Sequence, residues 1–98
     1  MRTILIGDII AAARAMMVLP ATEQAGFLNL MLGQTHAAHL FHKHKKIPHP
    51  RWGNGSLMAR ANLEPQVSEP FASDVAYLQA LQMVIAALIL RKALVVAR

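Results

Sequence analysis

The sequence predicts an all-α protein, a small helical bundle of three main helices plus one short helix. Apolar residues recur at helical spacing in several segments, and no segment alternates with period two as a half-buried strand would. Capping and helix-breaking residues separate those segments. The 98 residues, 55% of them hydrophobic, are enough for one domain and too few for two, so we expect a single helical domain over residues 1–98.

The first predicted helix runs from Asp8 to Leu19. Asp8 begins it, because a carboxylate there can accept from the free N–H groups of the first turn, and Pro20 ends it. Its apolar positions are Ile9, Ile10, Ala13, Met16 and Met17. The second helix, predicted from Thr22 to Lys43, should pack against the first as an antiparallel hairpin.

Two features of the second helix bear on its packing. Its predicted inner face consists of Phe27, Leu30, Met31, Gln34, Ala38 and Phe41. Gly26 and Gly33 each weaken a helix by about 1 kcal/mol relative to Ala, so we expect them to be there for close helix packing.

A loop and a short helix follow. Prolines and glycines between residues 45 and 55 exclude regular structure, and Trp52 should anchor this loop by burying its ring. Ser56 is the predicted N-cap of the short helix, from Leu57 to about Leu63.

The last and longest helix is predicted from Val75 to Ala97, with Ser73 as its cap and Asp74 at its positive end. It is apolar nearly all round, which is typical of a central bundle helix, a partner-binding surface or a membrane span. A span needs about 20 mostly apolar residues, whereas the unbroken run Met83–Leu90 has eight, so we do not favour a membrane protein.

This surplus of apolar surface predicts a function. A few short helices cannot enclose every side of the last one, so we expect a non-catalytic protein–protein interaction module that forms homodimers or docks on a partner. The predicted contact residues are Leu81, Ile85, Leu88 and Leu90.

The charge balance supplies the alternative. The net charge is +5, and the most basic stretch lies at the end of the second helix and in the following loop. A small regulator that binds nucleic acid or another anion would use Lys43, Lys45, Lys46, Arg51, Gly55 and Ser56. Interleaved aromatic residues, which single-strand binding normally requires, are missing, so this alternative is not favoured.

Neither catalysis nor a metal site is predicted. His36, His39, His42 and His44 lie at helical spacing that could suit zinc or nickel. No carboxylate between Glu23 and Glu64 completes such a set, so a solvated helix end is the better interpretation. The five carboxylates fall at predicted helix ends and connectors, and Ser56 and Ser73 are explained as caps, so we expect no enzyme and no cofactor.

The sequence also indicates a compartment. It contains no cysteine, which excludes disulfides and thiolate chemistry and fits a reducing cytosol. Gly7 and Asp8 interrupt the first apolar run within the length that a signal peptide needs. We therefore expect a cytoplasmic protein.

Three stretches resemble blocks of a small family of uncharacterised bacterial proteins of about this length. They are GDIIAAARAMMVLP from Gly7, HPRWGNGSLMARA from His49 and EPFASDVAYLQALQMVIAAL from Glu69. The family has no assigned activity or cofactor, so the resemblance implies one compact domain and no site residues. The His-rich end of the second helix departs from the family pattern.

Overall fold

The computed structural model describes residues 2–96, with side chains as far as residue 94, and shows helices but no β-strand in that part of the chain. The helices are α1 (Ile6–Met16), α2 (Ala21–Lys45), α3 (Leu57–Ala61) and α4 (Val75–Val96). The predicted all-α bundle of three main helices plus one short helix is confirmed. The last helix was expected to reach Ala97, which lies outside the described residues.

Helix α1, not the long apolar α4, lies at the centre of the bundle. Small side chains on it let the neighbouring helices approach closely. Its fully or almost fully buried residues are Ala11, Ala12, Ala13, Ala15 and Met16. Helices α3 and α4 pack on α1 most extensively, and α1 and α2 touch over fewer residues. The hairpin contact expected between the first two helices is therefore a minor one.

Asp8 links the starts of two helices. The prediction that α1 begins at Asp8 is wrong, because the helix begins at Ile6 and Asp8 occupies its third position. From there Oδ2 accepts from the Leu5 N–H at 2.8 Å, and Oδ1 accepts from the Met58 N–H, also at 2.8 Å. A carboxylate that is 5% exposed thus satisfies free N–H groups of both α1 and α3.

Helix α2 extends further than the sequence predicted. It begins directly after Pro20 without a side-chain cap, so the expected capping role of Thr22 is wrong. Its last residue is Lys45, and the following Lys46 has a left-handed backbone (φ 63°) that lets its N–H donate to the His42 carbonyl. Leu30, placed on the inner face by the sequence, is 54% exposed. The buried residues of α2 are Leu28, Met31, Leu32, Thr35 and Ala38.

The two glycines of α2 do not serve close packing of helix backbones. A Cβ on Gly26 would have no heavy atom within 4 Å, and a Cβ on Gly33 would meet only the end of the Arg91 side chain, at 3.8 Å. The expectation of close packing at these positions is wrong. The close approach occurs instead at Gly55, where a Cβ would lie 2.6 Å from the His39 Cα.

Side-chain contacts order the loop between α2 and α3. The Trp52 ring is half-buried and stacks on His49, with centroids 4.5 Å apart, and His49 meets Phe41 edge-on at 4.9 Å. The His49 Nδ1 also accepts from the N–H groups of Arg51 and Trp52. Trp52 therefore anchors this loop to the end of α2 through His49, which the sequence analysis did not identify.

The segments around α3 are held by polar contacts. As predicted, Ser56 caps α3, with its hydroxyl accepting from the Ala59 N–H at 3.1 Å. Arg60 is buried, donates from Nε to Gln34 Oε1 at 2.8 Å, and lies 3.0 Å from Glu64 in an ion pair. The hydrogen bond between Arg60 and Gln34 joins α3 to α2.

Helix α4 is capped one residue later than predicted. The Asp74 carboxylate accepts from the Tyr77 N–H at 3.1 Å, which is the N-capping bond that was assigned to Ser73. The connector before α4 is held by α1, because Arg14 Nε donates to the Val67 carbonyl at 2.9 Å. These contacts set how α4 lies against α1.

Candidate interaction surface

Helix α4 buries only one of its faces. Tyr77, Ala80 and Val84 are buried at spacings of three and four residues, which defines the face that meets α1. Leu81 and Leu88 are half-buried and pack against the same core. The inward face is therefore an ordinary core stripe, and the rest of the helix is left to solvent.

The outward face of α4 is apolar and uncharged. No charged residue occurs between Asp74 and Arg91. The exposed large side chains are Val75 (65%), Leu78 (46%), Ile85 (42%), Ile89 (64%), Leu90 (60%) and Leu94 (56%). Scattered apolar residues are normal on a protein surface, but six exposed on one helix, with Gln79 and Gln82 between them, make this helix a candidate contact site.

The structure divides the four predicted contact residues into two pairs. Ile85 and Leu90 are exposed on the outward face, whereas Leu81 and Leu88 pack against the hydrophobic core of their own chain. The sequence analysis did not select Val75, Leu78, Ile89 or Leu94. Because α4 is apolar nearly all round, its own pattern does not say which side faces α1.

The length and composition of α4 also satisfy a membrane criterion. In the described part of the chain, Val75–Leu94 is the one stretch long and apolar enough to cross a bilayer, and 17% of its most apolar window is buried in the protein. Length and composition alone are weak evidence for a span.

The residues of the alternative anion site have two kinds of environment. Lys43, Lys45, Lys46 and Arg51 are exposed at the end of α2 and in the loop after it. Gly55 and Ser56, in contrast, perform structural tasks. Gly55 is buried against α2 and Ser56 caps α3, a helix of only five residues.

The histidines of α2 lie in a region of positive charge. Burial lowers the pKa of His36 below its ordinary value of 6.5, and the charge of Arg91 lowers it further. Burial also lowers the pKa of His39, with additional contributions from nearby positive charges that include Lys43 and Arg2. Within residues 2–96, no three histidine or carboxylate side chains converge into a group that could hold a metal ion.

Comparison with known proteins then decides the family. A family model described as a domain of unknown function, DUF7742, matches residues 2–88, which is most of the chain. The chain belongs to the DUF7742 family. This confirms that the chain belongs to an uncharacterised family, as the resemblance of the three sequence blocks implied. No curated protein and no solved structure matches the sequence. The match includes Leu78 and Ile85 of the outward face, so part of that face lies within the DUF7742 domain.

Proposed function

We propose that this DUF7742 protein is a non-catalytic, cytoplasmic interaction module whose contact surface is the outward face of α4. One observation carries the proposal. Sixteen consecutive positions of α4, from Val75 to Leu90, carry no charge, and the large apolar side chains on their outward face are 42–65% exposed. Exposed apolar surface of this extent is costly in water, and a protein partner removes that cost by covering it.

The size of the exposed face is compatible with a contact. The six exposed side chains present on the order of 500 Å² of apolar surface, the upper end for a typical monomer. If a partner contributes a similar area, the contact buries about 1,000 Å² in total, which is the lower limit expected of a specific interface.

The polar groups support a role without catalysis. Asp8 and Asp74 cap helices, Glu64 pairs with Arg60, and the Ser56 hydroxyl caps α3. Each of these groups has a structural partner that accounts for its position. An acid–base pair or an activated nucleophile needs such groups aimed into a cleft.

The proposal is tested by placing charge on the outward face. Ile89→Lys puts an ammonium group on the C-terminal half of this face, and Ile47→Lys makes the same change at a comparably exposed residue of the loop after α2. We expect Ile89→Lys to abolish complexes that the wild type forms, whether with itself or with another protein, and Ile47→Lys to retain them. If both variants form the same complexes as the wild type, the outward face of α4 is not the contact surface.

A second candidate function rests on the basic end of α2. Lys43, Lys45, Lys46 and Arg51 are all exposed. Fluorescence anisotropy with a single-stranded oligonucleotide at low salt tests it, since phosphate contacts are strongest there. If this function holds, changing the three lysines to glutamine weakens binding. It also reduces the slope of log K against log salt concentration by about two, because three phosphate contacts are lost. No binding at low salt removes this candidate.

A further inference from the structure

Six of the exposed residues of α4 lie at the spacing of a seven-residue repeat, and the exposed Leu90 and Leu94 lie beside it. Val75, Leu78, Gln82, Ile85, Ile89 and Lys92 are spaced alternately three and four residues apart, and every one of them is exposed. This is the spacing of the a and d positions of a coiled-coil seam, with Val75, Gln82 and Ile89 at a and the others at d. We call these six residues the α4 seam. The core-facing Tyr77, Ala80 and Val84 lie on the opposite side of the helix.

We propose that the α4 seam binds the α4 seam of a second copy of this chain, with the two helices antiparallel about a two-fold axis. This inference rests on the proposed function and names its partner. A seam of this spacing is completed by another helix that carries the same spacing, because each side chain fits between four residues of the facing helix. In the described part of the chain α4 is the helix that presents such a seam, so a second copy supplies the match.

The charge distribution fits self-association. A two-fold contact brings identical surfaces together, so a charge at its centre would be repelled by the same charge on the other copy. The seam is neutral from Val75 to Ile89, although the whole chain carries a net charge of +5. A partner selected by opposite charge would instead bind one of the basic surfaces of the protein.

The charges at the two ends of α4 favour the antiparallel arrangement. Asp74 stands at the start of the helix and Lys92 near its end, eighteen residues apart. Eighteen residues are five full turns, about 27 Å, so both side chains lie on the same edge of the seam. Antiparallel pairing places Lys92 of each copy near Asp74 of the other. Parallel pairing would place the two Lys92 side chains together.

The register follows from the same pairing. An axis midway between Gln82 and Ile85 sets Gln82 opposite Ile85 of the second copy, and Leu78 opposite Ile89 of the second copy. Each layer then combines an a and a d residue, as antiparallel coiled coils require. Gln82, the one polar residue at an a position, lies beside the axis, where a polar group specifies register at some cost in stability.

The accessible surface is large enough for such a dimer. A folded monomer of 10.7 kDa has about 5500 Å² of accessible surface by the usual scaling. This chain has 6289 Å², an excess of roughly 800 Å². A standard interface buries about 800 Å² on each partner. The exposed apolar side chains of α4 contribute to this excess, together with exposed residues elsewhere such as Leu5 and Phe71.

Cysteine pairing tests the arrangement directly, because the natural sequence contains no cysteine. Leu78→Cys and Ile89→Cys are made as separate single variants. The two Leu78 positions of an antiparallel dimer lie about 16 Å apart along the axis, too far for a disulfide, whereas Leu78 and Ile89 of the two copies are opposite each other. We expect mild oxidation to cross-link an equimolar mixture of the variants and to leave each variant alone uncross-linked.

Light scattering supplies the second measurement. The wild type and Ile47→Lys should have twice the 10.7 kDa chain mass, and Ile89→Lys should dissociate at least a hundredfold more readily, with helical circular dichroism unchanged. A dimer in which each cysteine variant cross-links with itself overturns the antiparallel arrangement and leaves the proposed function intact. A monomeric wild type overturns the inference, as does wild-type binding to phosphatidylcholine–phosphatidylglycerol vesicles that Ile89→Lys loses.

A monomeric wild type still leaves the two proposals distinguishable. If the monomer forms a complex with a different protein that Ile89→Lys loses and Ile47→Lys retains, the proposed function survives without the second copy. If neither variant changes any complex, both proposals fail.

Discussion

Replacing Asp8 with alanine removes a side chain whose hydrogen bonds link the start of α1 to the start of α3. Its two carboxylate oxygens accept from the N–H groups of Leu5 and Met58, both at 2.8 Å. The side chain is 5% exposed, so water does not easily replace it. Both donors would lose a charged acceptor in one substitution.

The expected loss of stability is large for a chain of this size. A hydrogen bond to a charged group contributes about 1.5–3 kcal/mol, so the two together are worth about 3–6 kcal/mol. The whole free energy of unfolding of a 98-residue domain is about 5–15 kcal/mol. We expect Asp8→Ala to lower it by about 3–5 kcal/mol. Asp8→Asn should cost somewhat less, because one oxygen still accepts while its NH₂ group faces the other donor.

Urea denaturation followed by circular dichroism measures this loss. Asp74→Ala is the matched control, because it removes an exposed N-cap with one bond, to Tyr77, and should cost about 1 kcal/mol. A loss below about 1 kcal/mol for Asp8→Ala, or one equal to that of the control, would refute the bridging role of Asp8.

Three further predictions concern the glycines and histidines near α2. Gly55→Ala should cost about 3 kcal/mol or more in urea denaturation, because its φ is 95° and the new Cβ would meet the His39 backbone at 2.6 Å. Gly26→Ala should raise the free energy of unfolding by about 0.5–1 kcal/mol, because its Cβ would meet nothing within 4 Å. Stability should fall as the pH drops below about 6.5, since the folded-state pKa values of His36 and His39 are lowered and the unfolded chain takes up protons first. Changing both histidines to glutamine should reduce this pH dependence, measured as the urea midpoint between pH 5 and pH 8.

Each of these predictions has a result that contradicts it. A Gly55→Ala variant as stable as the wild type would mean that the loop does not pack on α2 in this way. A destabilised Gly26→Ala variant would show that the residue has a packing role. An unchanged pH profile in the double glutamine variant would place the titrating groups elsewhere.

Local chemistry explains which parts of the fold the sequence predicted. The Ser56 cap and the start of α3 follow from neighbouring residues, and the structure confirms both. Asp8 shows the limit of such reasoning. A carboxylate before an apolar stretch predicts a cap, but its bond to Met58, 50 residues away, depends on how α3 packs against α1.

The outward face of α4 shows the same limit. The sequence predicted surplus apolar surface on this helix, and the structure leaves six of its large apolar side chains exposed. Of the four residues chosen from sequence, Ile85 and Leu90 are exposed, whereas Leu81 and Leu88 pack against the core. The sequence did not separate them, because a helix that is apolar nearly all round has no polar face to orient it. The orientation comes from the small residues of α1, which accept Tyr77, Ala80 and Val84.

The most direct test of the central claim is photo-cross-linking from the outward face of α4 in intact cells. A photoreactive amino acid replaces Ile85 in one variant and Ile47 in the other, and both side chains are exposed. We predict a protein adduct of defined mass from position 85 and none from position 47. An unmodified chain at position 85, or the same adducts from both positions, would contradict the claim that this face is where the protein meets its partner.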